Sequence, residues 1–258
     1  MNFLVIGDII GTPGMDALRA NISRLKERFN IDFTIVNGEN SADGMGITHK
    51  ILKDMYALGV DVVTLGNHTW GKKDIFTFID DEERLVRPAN YPQGVRGKGS
   101  TLINCKGQKI GVINLIGRVD IGGSFDSPFE IGDKEIEKLK NKGADVIIID
   151  FHAEATAEKK ALAYYMQDKV NILFGTHTHI QTADEMIYPS GMGYITDVGM
   201  TGPKNSIIGM SPEVALKRFL MQIPERYSCA TGDFMLNGVV FEYDEKNKKV
   251  THIERIRI

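Results

Sequence analysis

The stretch Val170-Asn171-Ile172-Leu173-Phe174-Gly175-Thr176-His177-Thr178-His179 runs an apolar segment straight into two histidines one residue apart. A short apolar run closed by glycine predicts a buried strand, here Val170 to Phe174. A metal needs donors that converge in space, and His-x-His just past a strand end supplies two neutral imidazoles at once. Inside a regular strand residues i and i+2 share a face, but irregular backbone beyond the end can aim both rings at adjacent ions. His177 and His179 are therefore candidate metal ligands.

Working outward, the same design recurs four times. Asn2 to Ile6 reads as a strand ending near Asp8, Phe33 to Val36 as one ending near Glu39-Asn40, and Val62 to Leu65 as one ending near Asn67-His68. Val146 to Ile149 precedes His152. Between the first strands, Met15, Leu18, Ile22, Leu25 and Phe29 recur at helical spacing; Thr48 can cap a second helix that Gly59 ends. Further helices are expected over Glu135 to Lys142 and, capped by Thr156, over Ala157 to Gln167. Strand and helix in alternation with short links imply parallel pairing and right-handed crossovers. Hairpins are expected around Gly107 and around Ser190-Gly191, and the tail from Phe234 reads as two long strands around Asp244 to Lys248. No linker, repeat or low-complexity tract divides the chain, so residues 1–258 are expected to form one α/β domain of two packed sheets with helices outside.

In parallel α/β sheets, functional groups collect beyond the carboxyl ends of the strands. Five predicted strand ends carry Asp8, Glu39-Asn40, Asn67-His68, His152 and His177 with His179. Carboxylate, carboxamide and imidazole together suit iron, manganese or zinc. The set exceeds what one ion requires, and Glu39 is the carboxylate best suited to bridge two, implying ions roughly 3.5–4 Å apart. His49 and His252 lack a strand-end placement and read as structural or exposed. Arg118 reads as a surface charge ahead of a phosphate contact, and Trp70 and Tyr91 as packing residues ahead of base-stacking ones. The loops Ser41 to Gly46 and Gly199 to Asn205 either wall a pocket or simply turn.

The totals narrow the partners. A net charge of −3 argues against broad binding to duplex nucleic acid or anionic membrane and leaves a small phosphoester or nucleotide open. No apolar run approaches the roughly 20 residues of a membrane span. The opening Met1-Asn2-Phe3-Leu4-Val5-Ile6 lacks a basic leader, and Cys105 and Cys229 lie far apart and far from any histidine. Those features predict a cytoplasmic protein with ordinary buried thiols. A homo-oligomer is compatible with the sequence, though no patch points to one.

The ordered motifs Gly-Asp, Gly-Glu-Asn, Gly-Asn-His, His and Gly-x-His-x-His, from Asp8 to His179, resemble the calcineurin-like metallophosphoesterase superfamily. Two departures are visible: Ile10 stands where the superfamily has its first histidine, and Glu39 where it has a bridging aspartate. The last element is also one residue longer than usual. Gly7-Asp8-Ile9-Ile10-Gly11 and Gly38-Glu39-Asn40 resemble the YmdB-like branch. The resemblance implies a four-layer α-β-β-α sandwich of two mixed sheets. It also implies two metal ions, with iron or manganese ahead of zinc, and a phosphodiesterase acting on 2′,3′- or 3′,5′-cyclic nucleotides. Asp8, Glu39, Asn40 and His179 would hold one ion; Glu39, Asn67, His152 and His177 would hold the other. Hydroxide held between the ions would attack phosphorus, with His68 as the general acid.

Two other readings remain. Gly7-x-x-x-Gly11-x-x-Gly14 after a first strand also suits a dinucleotide-binding oxidoreductase, but that leaves Asn67-His68, His152 and His-x-His without a purpose. The loss of a histidine at Ile10 suits a metal- or nucleotide-binding regulator with little catalysis.

Overall fold

Strand Asn2–Ile6 buries Phe3, Leu4, Val5 and Ile6 completely, which requires cover on both faces of its sheet. The computed structural model, describing residues 1–258, supplies that cover. One six-stranded sheet runs Lys249–Arg257, Asn237–Asp244, Asn2–Ile6, Phe33–Asn37, Val62–Thr64, Leu85–Val86. Its last four strands are parallel, and the two C-terminal ones join antiparallel. The second sheet runs Met186–Ile187, Gly193–Ile195, Ile172–Thr176, Val146–His152, Gln108–Ile116, Ser100–Cys105, with four parallel strands between antiparallel edges.

Alternation along each strand decides which layer it feeds. Phe3 and Val5 enter an apolar slab with Ile148, Ile172 and Phe174 of the other sheet, so the two sheets pack face to face. Leu4 and Ile6 point the other way, onto Leu18, Ile22 and Leu25 of α1 (Gly11–Arg28) and Leu52 and Met55 of α2 (His49–Ala57). Ile147, Ile149 and Leu173 meet Ile136 and Leu139 of α3 (Pro128–Asn141) and Leu162 and Met166 of α4 (Thr156–Met166). The order is helix, sheet, sheet, helix. Each fully buried Leu, Ile or Phe contributes about 1.5–3 kcal/mol, so the slab fixes the sheets against one another.

A third, small sheet joins Asp8–Ile9, Met200–Pro203 and Phe234–Met235. The span Thr196–Gly199 leading into it lies against both large sheets. A Cβ on Gly7 would stand 1.8 Å from the Gly199 carbonyl oxygen, and one on Gly175 would stand 1.9 Å from that of Thr196. Glycine is required at both contacts.

The structure corrects several sequence boundaries. The first helix starts at Gly11, not near Met15, with Pro13 in its opening turn. The helix expected from Glu135 starts at Pro128, because the Ser127 side chain accepts from the Glu130 N–H and proline occupies its first turn. Thr156 is the first residue of α4 and not its cap; Ala155 holds the cap position. The second sheet's histidine strand spans Ile172–Thr176, two residues later than the apolar run, and His152 is the last residue of its strand and not beyond it. The expected tail hairpin loses Phe234–Met235 to the small sheet. Helix α5 (Pro212–Met221) is additional, as is a 3₁₀ turn over Lys73–Thr77. Thr48 caps α2 as expected, accepting from the Ile51 N–H at 3.3 Å. Both cysteines are free and half-buried, where full burial was expected. No helix is long and apolar enough to cross a membrane.

Candidate metal centre

Parallel strands of both sheets end at the same rim, and the loops leaving them bring the predicted side chains together. Asp8, Glu39, Asn40 and His152 are all but inaccessible, while Asn67, His68, His177 and His179 are half-buried around them. Gly66 makes this possible: a Cβ there would stand 2.4 Å from both Glu39 Oε2 and His152 Nε2.

One group centres on His152 Nε2. Asn67 Oδ1 lies 2.8 Å from it, His177 Nδ1 3.0 Å and Glu39 Oε1 3.2 Å. The donor atoms of Glu39, His152 and His177 all fall within 4.8 Å of one another. A second group centres on Asp8. His179 Nε2 lies 3.9 Å from Asp8 Oδ1 and 3.3 Å from Asn40 Nδ2, which donates to Glu39 Oε1 at 3.0 Å. Glu39 thus faces both groups. Asn40 presents its NH₂ to this second group and its oxygen to His68 Nδ1, 2.7 Å away.

Each ring is fixed from behind. His152 Nδ1 meets Thr176 Oγ1 at 2.9 Å, and that hydroxyl donates to Asp150 Oδ1 at 2.7 Å. Asp150 Oδ2 accepts from Thr64 Oγ1 at 2.5 Å and from Asn37 Nδ2 at 3.2 Å. His179 Nδ1 donates to the Ile208 carbonyl at 2.9 Å, and His177 Nε2 lies 3.1 Å from Glu154 Oε2. Such contacts choose which nitrogen faces inward. His177 and His179 hold φ of 97° and 65°, conformations that cost a non-glycine residue about 1–3 kcal/mol each. That irregularity turns both rings inward, as the sequence pattern requires.

The electrostatics are those of crowded opposite groups. Burial pushes the Asp8 carboxyl up, with the His179 and His152 rings opposing that rise. Burial would raise Glu39 as well, but the His152 ring outweighs it and holds this carboxyl well below the usual range. Burial disfavours charge on His152, yet Glu39 and then Asp8 lift it to about 9. His177, buried beside that ring, falls to about 3. Burial raises Asp150 to about 6 against its hydrogen bonds from Thr64 and Thr176.

The donor set fits cations. Asp8 Oδ1 is buried with no hydrogen-bond partner, a costly state for a carboxylate unless a cation takes its lone pairs. Around His152 Nε2, three further lone-pair atoms converge, more than one proton can serve. Nitrogen and oxygen donors without thiolate suit iron, manganese or zinc.

The other sequence-marked residues lie apart from this chemistry. His49 stacks on Phe78 and meets Glu82 at 3.2 Å, and His252 is exposed beside Glu254. Arg118 is exposed; its backbone N–H donates to Glu158, and its guanidinium forms no ion pair. Trp70 stacks on Phe76, and the Tyr91 hydroxyl donates to the Gly66 carbonyl at 3.3 Å. The Ser41 to Gly46 loop turns through Gly44 and Gly46 at positive φ, and Gly199 leads into strand Met200–Pro203. Ile10 is fully buried against Gly202 and Gly209, so that position belongs to the core. Sequence reading missed Asp150, Glu154 and Thr176. Asp150 alone had a signal, sharing a strand face with His152 two residues on.

Comparison with known proteins agrees with this frame. The chain is 48% identical over 258 residues to the 2′,3′-cyclic-nucleotide 2′-phosphodiesterase of Bacillus subtilis (strain 168), spanning 100% of this chain and 97% of that one. A crystal structure of a phosphatase from Mycoplasma pneumoniae superposes with a TM-score of 0.93 at 37% identity, covering 100% of this chain and 93% of that one. The NAD nucleotidase of Haemophilus influenzae shares the fold alone, with a TM-score of 0.62 at 14% identity over 100% of this chain and 55% of its own. The family described as YmdB-like protein matches residues 4–256. The chain belongs to that YmdB-like family.

Proposed function

We propose that this protein is a metal-dependent phosphodiesterase that hydrolyses cyclic nucleotides, 2′,3′- or 3′,5′-cyclic, with the help of two bound cations. The observation that carries the reading is the convergence of lone-pair atoms from both sheets on one rim, with Glu39 facing both groups. Asp8, Glu39 and His179 would hold one cation, and Glu39, Asn67, His152 and His177 the other. Asn40, expected among the first set, turns its NH₂ toward that group and its oxygen to His68, so as arranged it braces Glu39 and His68 and offers no lone pair to the cation. Iron or manganese suits this set ahead of zinc. Such a pair supplies charge neutralisation for an anionic phosphoester and a lowered pKa for water.

The chain's own residues do the rest. Glu39 is steadied by the His68 backbone N–H, 2.9 Å from Oε2, and its own N–H donates to Asn37 Oδ1 at 3.1 Å. His68 donates through Nδ1 to Asn40 Oδ1, which leaves Nε2 free to carry a proton to the departing alkoxide. Its half-exposed ring can meet substrate while the ligands behind it stay buried. The relative from Bacillus subtilis supports a cyclic phosphodiester as substrate.

The test is a paired measurement on His68→Ala. Manganese content by elemental analysis is expected to match wild type. Turnover of a 2′,3′-cyclic nucleotide is expected to fall about 10²–10⁴-fold, with a smaller fall for bis-p-nitrophenyl phosphate, whose leaving group needs less help. Loss of the metal together with turnover would remove His68 from the acid role. Buried Ile10 in the first-histidine position favours a regulator as the second reading. Wild-type protein fully loaded with manganese yet inert toward every diester and cyclic nucleotide would establish it.

A further inference from the structure

We propose that the buried Lys159–Asp197 ion pair is a positioning element for the His177-Thr178-His179 turn and thereby sets how tightly the protein takes up cations. The proposal rests on the metal-dependent reading above.

Lys159 lies on the inner face of α4 with no exposure, and Asp197 is equally buried in the span between the sheets. Lys159 Nζ donates to Asp197 Oδ2 at 2.6 Å. The lysine stem crosses Gly175, where a Cβ would come within 3.0 Å of its Cδ. Burying two charges is expensive, and well-packed apolar residues often serve stability as well or better. The pair also stands outside the donor groups, so the chemistry proposed above does not use it directly.

The other contacts of Asp197 show what the pair holds. Its Oδ2 accepts from the Thr178 N–H at 3.1 Å and from the Thr178 hydroxyl at 2.7 Å. Its Oδ1 accepts from the Gly199 N–H at 2.8 Å. Thr178 is the middle residue of the turn whose flanking histidines both hold positive φ. Left to itself, such backbone relaxes toward ordinary conformations, and both rings swing with it. One carboxylate pins that residue by its main chain and side chain together.

Asp197 also ties the turn to Asp8. The Gly199 carbonyl accepts from the Asp8 N–H at 3.1 Å, and the His179 carbonyl accepts from the Met200 N–H at 3.1 Å. Lys159 completes the arrangement by holding the carboxylate itself. Without Nζ, Asp197 would be an uncompensated buried charge and would turn from its place, loosening the Thr178 anchor.

The experiment compares wild type, Lys159→Met and Leu162→Ala by calorimetric titration with Mn²⁺ and by thermal melting. Leu162 is buried on the same helix one turn away, so its truncation reports general loosening of α4. Lys159→Met is expected to weaken Mn²⁺ binding about 10–100-fold, the range for groups that orient ligands, with kcat recovering toward wild type at saturating Mn²⁺. Leu162→Ala is expected to lower the melting temperature while leaving Mn²⁺ affinity close to wild type. Should Lys159→Met fail to fold, Thr178→Val keeps the shape and the main-chain N–H but loses the hydroxyl. That variant is expected to bind Mn²⁺ about tenfold more weakly, at the low end of the same range. Wild-type affinity in the folded Lys159 or Thr178 variant overturns the proposal, as does equal weakening in Leu162→Ala. Wild-type protein that binds no cation overturns the metal-dependent reading and this proposal with it. Normal wild-type loading with unaffected variants overturns this proposal alone.

Discussion

The first sheet sends oxygen donors to the rim and the second sends imidazoles. Asp8, Glu39 and Asn67 follow strands of the first sheet, with the Asn40 NH₂ turned inward beside them, and His152, His177 and His179 come from the second. The two banks are also supported differently. Glu39 is held by groups at its own rim, with the His68 N–H on its side chain and Oδ1 of strand-end Asn37 on its own N–H. Behind the imidazoles stand Thr176, Asp150, Glu154 and the Ile208 carbonyl. A carboxylate offers lone pairs in several directions and tolerates small rotations. An imidazole offers one lone pair in its ring plane, and its second nitrogen must be claimed to fix both tautomer and angle. The nitrogen bank therefore needs a deeper supporting layer than the oxygen bank.

Substitutions can break or sharpen this contrast. Glu39→Ala should have the largest effect, because Glu39 alone faces both donor groups. Activity on a 2′,3′-cyclic nucleotide is expected to fall well beyond the roughly 100-fold of an outer-layer change, and elemental analysis should find little manganese. His152→Ala comes next, removing the centre of one group only. About one ion per chain should remain, and complete loss of metal would show that the banks load as a unit. Asp150→Asn keeps shape while altering the support behind Thr176 and His152. Manganese affinity should drop about 10–100-fold, and an unchanged value would show that the nitrogen bank does not need its buried layer.

The smallest expected effect lies at the outer margin of the second sheet. Asp184 accepts from Lys160 Nζ at 2.7 Å and from Thr196 Oγ1 at 2.5 Å. Partial burial raises this carboxyl, but Lys160 and Thr196 outweigh it and hold the group at about 2, below its ordinary 3.8. A depressed carboxylate contributes stability above its unfolded value, and that contribution disappears as pH falls through 4 toward 2. With solvent screening, Asp184→Asn should lower the melting temperature by only about 1–3 °C at pH 7. The difference from wild type should shrink as pH falls through this range and close only below about pH 2, with manganese affinity at neutral pH untouched. A change in metal affinity would place Asp184 within the supporting layer.

The strand-end donors were legible because each polar residue interrupts an apolar run at a place where sheet topology collects chemistry. Asp8, Glu39, Asn67, His152, His177 and His179 all have that signature. Most of the supporting layer lacks it. Asp150 does follow the apolar run Val146 to Ile149 and shares a face with His152, but Lys159 follows Glu158 in what reads as an ordinary charged helix. Their partners lie 26 to 113 positions away, and only the closed fold brings them within reach. The small third sheet was hidden for another reason. Asp8–Ile9 and Phe234–Met235 are two residues long, too short to show a period of two. Helix α5 carries exposed Leu216, Phe219 and Leu220, so its apolar positions do not trace a buried stripe.

The span Thr196–Gly199 rests on a glycine of each large sheet, Gly7 and Gly175, with no room to spare. It works as a spacer bar that fixes how far apart the carboxylate and imidazole halves stand, although none of its four residues belongs to either donor group. A side chain as small as alanine's at either glycine would push the bar sideways and change that gap. The spacing of the two halves thus depends on two residues that have no side chain at all.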